Sequence, residues 1–237
     1  MSVLKHQIAQ STRKEPRSIP GQISMTNEIR RKLIHISSIS IPILYWFVTK
    51  EEALWVLVPM TLGAIVVEIL RRKFAGFETW FRSLFGQLLR PHESSSRPEI
   101  NGATYVLLSA TICIVLFPKI IAITGFSVLI ISDTASALYG RRFGKRKFLR
   151  KSVEGSSAFF VTAMLVVLAV AQLAGAPWEF IVAGAVASLV ATVVEAVSHG
   201  GGSVDDNLTI PAAFGAVMWA LLALMNSPVL HSFLHVS

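Results

Sequence analysis

Long apolar runs dominate this chain, and their length leaves lipid as the only solvent in which it can fold. Hydrophobic residues fill 53% of the 237 positions and charged residues only 15%, where a soluble domain carries about 25% charge. The runs place seven candidate spans: Leu33 to Val48, Ala53 to Leu70, Ala103 to Phe117, Ile120 to Tyr139, Ser156 to Leu173, Trp178 to Val197 and Leu208 to Met225. Several lie near the short limit of about 17 residues for a helix that crosses a bilayer, so their ends are expected to extend into polar flanks. Pro42 and Pro59 fall inside the first two runs. Membrane helices tolerate this because neighbours re-satisfy the freed backbone groups. The expected fold is an all-α membrane protein, a polytopic bundle of about seven transmembrane helices.

Residues 1–24 are polar and hold Pro16, Pro20 and Gly21. They read as a flexible or surface-lying basic tail ahead of a single transmembrane catalytic domain, 25–237. The first apolar run starts too late for an ordinary signal peptide, and no small-residue cleavage site follows it, so no cleavable leader is expected. Residues 74–90 differ from the spans: Phe74, Phe77, Phe81, Leu84, Phe85 and Leu88 recur at helical spacing with Glu78, Arg82 and Gln87 between them. This pattern predicts an amphipathic helix lying in the membrane interface. Cys113 is the single cysteine and reads as a small buried hydrophobe.

The basic residues are partitioned. The start of the chain carries Lys5, Arg13, Lys14, Arg17, Arg30, Arg31 and Lys32; the segment after the second run carries Arg71, Arg72, Lys73, Arg82, Arg90 and Arg97; the segment after the fourth carries Arg141, Arg142, Lys145, Arg146, Lys147, Arg150 and Lys151. Seven spans put all of these on one side and leave only Lys50 and Lys119 for the other. The positive-inside rule then places the N-terminus in the cytoplasm and the C-terminus outside. The net charge of +8 and pI near 10.0 are thereby explained by helix flanks, and no nucleic-acid partner is expected.

Ionisable groups within spans are costly and point to function. Asp133, Ser136 and Gly140 share a face of the fourth span. Ser188, Thr192 and Glu195 form a polar stripe on the sixth, and Asp205, Asp206 and Asn207 follow shortly after it. Carboxylates in this number suit Mg2+, although Asp205 and Asp206 also suit the N-cap of the last span. Glu68 precedes Arg72 by four residues and reads as an ion-pair partner. His35 follows Arg31 by the same interval and reads as structural.

The loop 141–155 is the strongest electrostatic feature. It can grip anionic lipid, and its end, KSVEGSS, leads into a helix N-terminus beside lysines, a ready anion site. A triphosphate suits that arrangement, with a metal bridging its phosphates. The chain holds no P-loop, no GxSxG and no zinc-ligand spacing. Phosphoryl or nucleotidyl transfer to a lipid is the chemistry implied.

The chain resembles the CTP-dependent lipid alcohol kinases, the family of dolichol kinase, phytol kinase and the yeast-type diacylglycerol kinase. The resemblance is carried by RRKLIH at 30–35, NGATYVLLSA at 101–110, SDTASALYGRRFGKRK at 132–147, KSVEGS at 151–156, VEAVS at 194–198 and DDNLTIP at 205–211. It implies transfer of the γ-phosphoryl group of CTP to a lipid hydroxyl with Mg2+ or another divalent cation. On that reading Arg31, Lys32, Asp133 and Glu195 form the catalytic set, Glu195 orienting or deprotonating the hydroxyl. Asp133, Asp205 and Asp206 would hold metal. Gly140, Lys145, Arg146, Lys151, Ser152, Glu154, Gly155 and Asn207 would surround the nucleotide. His199-Gly200-Gly201 resembles the CDP-diacylglycerol synthases instead, although SVDDN stands where their Asp-Arg-x-Asp element belongs, so a cytidylyltransferase is the alternative. A transporter is a third reading, but the repeated halves with interrupted helices that it needs are not evident.

Overall fold

The computed structural model describes residues 32–86, 100–198 and 205–225. The expectations placed on the tail 1–24, on Arg31 and on His199-Gly200-Gly201 lie outside these residues. What is described is helical throughout, apart from one short hairpin.

A helical segment, 32–37, passes through a turn into α1 (Ser40–Phe47). The break has a local cause. Pro42 has no N–H to offer the carbonyl of Ser38, and the amides of Ser38, Ile39 and Ile41 bond three residues back rather than four. Helix α2 (Lys50–Lys73) opens with a capping box between Thr49 and Glu52 and carries Pro59. Extended backbone at Phe74 ends it and starts α3 (Ala75–Phe85), so the amphipathic segment is a separate helix rather than a continuation of the second span. Helix α4 (Gly102–Leu116) is capped by Asn101, whose side chain accepts from Ala103 N at 2.9 Å. Then come α5 (Lys119–Phe143), the strands β1 (Lys147–Phe148) and β2 (Lys151–Ser152), α6 (Val153–Ala174), α7 (Trp178–Val197) and α8 (Asp206–Met225). Gly175, at φ 62°, takes the left-handed cap that ends α6.

Five helices, α2, α5, α6, α7 and α8, are long and apolar enough to cross a membrane. The segment Lys32–Phe47 and α4 are apolar but shorter. The chain is an all-α, multi-pass membrane protein. Helix α5 is its centre: 83% of its most apolar window is buried, against 22% for α2. A soluble helix marks its core-facing side by an apolar stripe against a polar face. Here lipid and core are equally apolar, so composition does not distinguish the buried side from the lipid-facing one.

Two pairs of contacts show how far the shorter helices reach. Lys50 Nζ donates to Val115 O at 2.7 Å, and Asn101 N donates to Glu68 Oε1 at 3.2 Å. Helix α4 therefore runs antiparallel to α2 from the first residue of α2, Lys50, to Glu68, one turn or more short of its end at Lys73. Likewise Lys119 Nζ lies over the Tyr45 ring at 5.7 Å, while Lys32 reaches Asp133. The segment Lys32–Phe47 thus runs antiparallel to α5 over the same stretch.

Glu68 does not use Arg72. Its partner is Arg71, at 3.2 Å, because Arg71 faces the bundle and is wholly buried. Arg71 also bonds Glu78 at 2.8 Å and stacks on Phe81, which ties the interfacial helix α3 to α2.

Candidate active site

Four separate stretches converge at the basic end of the bundle. The segment 32–37 brings Lys32 and His35, α5 brings Asp133 and Ser136, β2 brings Lys151, and α7 brings Glu195. The crossing of α5 and α6 makes this possible. Gly140 and Gly155 face each other so closely that a Cβ on Gly140 would stand 3.1 Å from Gly155 Cα, and one on Gly155 would stand 3.2 Å from Gly140 Cα. Small residues at a crossing let backbones approach. The hairpin that joins α5 to α6 is consequently drawn in against α7, where Arg150 N donates to Ala196 O at 3.2 Å.

Lys32 Nζ donates to Asp133 Oδ2 at 2.5 Å, and both side chains are 8% exposed. His35 Nε2 stands 3.8 Å from the same oxygen. Glu195 is fully buried. Its Oε1 accepts from Ser136 Oγ at 2.8 Å and from Lys151 Nζ at 2.5 Å. Its Oε2 is buried and has no hydrogen-bond partner among the described residues. Burial works against the Lys151 ammonium, but Asp133, Glu195 and Asp206 outweigh it and hold its pKa above the ordinary lysine value. Lys151 therefore ties three carboxylates from three helices into one field.

The other expected site residues are placed differently. Ser152 caps α6, its Oγ accepting from Gly155 N at 3.1 Å. Glu154 accepts from the amides of Lys145, at 3.0 Å, and Arg146, so its carboxylate orders the loop. The Lys145 and Arg146 side chains are exposed beside it. Asp205 caps α8: its Oδ1 accepts from Asn207 N at 2.9 Å and Asn207 Nδ2 at 2.5 Å. That is the capping role the sequence left open for it. Asp206, next to it, is buried and acts on Lys151.

His35 reads from sequence as structural, yet it stands beside Asp133. Its only signal is the spacing RRKLIH, which puts Lys32 and His35 on one helical face. Thr104, which donates to Glu68 Oε1 at 3.4 Å, carries no such signal.

Among the described residues no three of His, Cys, Asp and Glu are grouped to hold a metal unaided. The donor set still fits a hard cation. Mg2+ commonly takes one or two protein carboxylates and completes its shell with substrate phosphates. Asp133 and Asp206, which both face Lys151, are hard oxygen donors of the right kind.

The fold and site define a class: a multi-pass helical membrane protein with a buried lysine–carboxylate centre at its basic end. The chain is similar to an uncharacterized protein of Rickettsia prowazekii, 29% identical over 187 residues, which covers 79% of this chain and 91% of the other. It is also similar, at 26% identity over 224 residues, to the CTP-dependent diacylglycerol kinase 1 of Saccharomyces cerevisiae, covering 85% of this chain and 76% of the yeast protein. No family model matches the chain, and no solved structure matches it.

Proposed function

We propose that this protein is a membrane lipid kinase that transfers the γ-phosphoryl group of CTP to the hydroxyl of a lipid alcohol, diacylglycerol or an isoprenoid alcohol being the candidates. The observation that carries the reading is Glu195. One oxygen is pinned by Ser136 and Lys151 while the other is buried and unpartnered, which is the state of a base waiting for a donor. The distant similarity to a CTP-dependent diacylglycerol kinase supports the same reaction.

In this reading the lipid hydroxyl donates to Glu195 Oε2, and its oxygen attacks the γ-phosphorus in line. A new O–P bond forms as the bond between the γ-phosphorus and the β,γ-bridging oxygen breaks. CDP leaves, and the hydroxyl proton passes to Glu195. Lys32, Arg31 and Lys151 offset the charge on the phosphates. Lys145 and Arg146 grip the nucleotide, with Glu154 ordering the loop that carries them. Gly140 and Gly155 act by letting the helices close, and Asn207 by bracing Asp205. A divalent cation, held by Asp133 and Asp206 with Asp205 behind them, would neutralise the phosphates when bound. His35 steadies Asp133.

We further propose seven spans, with the N-terminus and the loops 141–155 and 199–207 cytoplasmic and the C-terminus outside. The run of α4 alongside α2 from Lys50 to Glu68 supports this, as does the gathering of basic residues at one end. The basic loop then also meets the anionic lipid surface.

CTP labelled at the γ or the α position, offered with a panel of lipid alcohols to the purified protein, tests the reaction. Label from the γ position in the lipid is expected. Label from the α position would make the protein a cytidylyltransferase. Reporters fused after Lys147 and after Ser237 test the topology, and the two signals should fall on opposite sides.

A further inference from the structure

We infer that the tip of the β1–β2 hairpin is a membrane anchor, with Leu149 and Phe148 seated at the headgroup boundary and the flanking Lys147 and Arg150 on anionic lipid. The inference rests on the membrane placement of the chain and not on the kinase reaction.

The first observation is backbone strain. Leu149 has φ 50°, the one positive φ at a non-glycine among the described residues. A side chain in that region crowds the carbonyl, and glycine or asparagine holds such a turn with less strain. A leucine kept there is expected to gain something from its side chain.

The second observation is that the described protein supplies little of that gain. Leu149 is 51% exposed and Phe148 is 37% exposed. Both stand on a loop outside the spanning helices, where exposure to acyl chains along a helix does not apply.

The third observation is charge. Lys147 and Arg150, which flank the tip, are both exposed. The acid nearest them in sequence, Glu154, spends its carboxylate on the Lys145 and Arg146 amides. An apolar tip flanked by cations matches an anionic leaflet, where apolar burial and electrostatic attraction act together.

The tip is also rigidly coupled to the site. Val153 N donates to Arg146 O at 2.9 Å, and Arg150 N donates to Ala196 O at 3.2 Å. Phe148 pairs directly with Lys151, so their side chains share one face of the hairpin. Lys151 in turn bonds Glu195. Seating the tip in the interface therefore sets the depth of the site against the headgroups.

The test uses the full chain in a Cys113→Ala background, Cys113 being its only cysteine. Leu149→Cys carries a spin label, and the protein is reconstituted in phosphatidylcholine vesicles with or without phosphatidylglycerol. In vesicles with phosphatidylglycerol the label should collide with oxygen and be shielded from a water-soluble nickel chelate. High salt should remove most of that shielding, and Arg150→Gln part of it. A label open to the chelate in anionic vesicles overturns the proposal. So does shielding that is equal in both lipids, or shielding that arises only when CTP is added in detergent, which would make the tip a cover for the nucleotide. A second variant, Leu149→Gly, should melt no earlier than the parent, because glycine relieves the turn; a variant that melts earlier would show that the leucine side chain packs within the protein and would overturn the proposal. Collision data report depth whether or not the protein phosphorylates anything, so failure here is distinct from failure of the kinase reading.

Discussion

Asp133→Asn removes the charge opposite Lys32 and leaves an ammonium with 8% of its side chain exposed. Breaking a buried pair by removing one partner costs about 3–5 kcal/mol. Lys151 faces the same carboxylate and loses a partner as well. At about 1.4 kcal/mol per decade, the unfolding equilibrium should shift by roughly two to three and a half decades. Lys32→Met in addition removes the stranded charge and replaces it with an apolar chain, and replacing a whole buried pair is often close to neutral. The double variant Lys32→Met/Asp133→Asn should therefore recover most of the lost stability while phosphoryl transfer stays abolished. Thermal unfolding in one detergent, read beside γ-label transfer, measures both quantities on the same samples. A single Asp133→Asn variant as stable as the parent would refute the buried pair. A double variant that regains turnover along with stability would refute a catalytic Asp133.

Lys151→Met should abolish turnover and lower stability at neutral pH. Because the folded pKa of Lys151 is raised, its contribution is fully present below the ordinary lysine value near 10.4 and fades only as pH climbs past it toward the folded value. Thermal unfolding across pH should show the gap between parent and variant constant to about pH 10 and narrowing above; narrowing near neutrality would count against it. Gly155→Ala should cost about 1–3 kcal/mol, because its Cβ meets Ser136 O and Gly140 Cα at 3.2 Å and backbone cannot yield. Gly63→Ala, with nothing within 4 Å, should be neutral or stabilising by up to about 1 kcal/mol in the same melts. Replacing Lys145, Arg146 and Lys147 with Gln should raise the KM for CTP by about tenfold or more, each charge-assisted contact being worth about 1.5–3 kcal/mol. CDP inhibition should weaken in parallel and cytidine binding should barely change; an unchanged KM in micelles without anionic lipid would move the phosphate site to Arg31 and Lys32.

The helices were legible because a bilayer demands contiguous apolar runs, and contiguity is a property of the sequence alone. The same holds for the cap at Asp205, which acts within two residues of itself. The break at Phe74 was visible in the change of spacing that marks α3. Asp133 and Glu195 stood out because a carboxylate inside an apolar run has no cheap explanation.

Which partner each of these groups takes was decided only by the tertiary structure. Lys32 and Asp133 are 101 residues apart, and Lys151 and Glu195 are 44 apart. Glu68 takes Arg71 rather than Arg72, and His35 turns toward Asp133. Each outcome depends on how a helix is rotated about its axis. In water the apolar stripe would set that rotation, but between lipid and core there is no difference in hydropathy to set it. Close approach decides instead, as at Gly140 on Gly155 and at Gly184, where a Cβ would stand 2.5 Å from Val167. Local sequence therefore determines where this chain crosses the membrane, and side-chain fit between distant helices determines which charges meet.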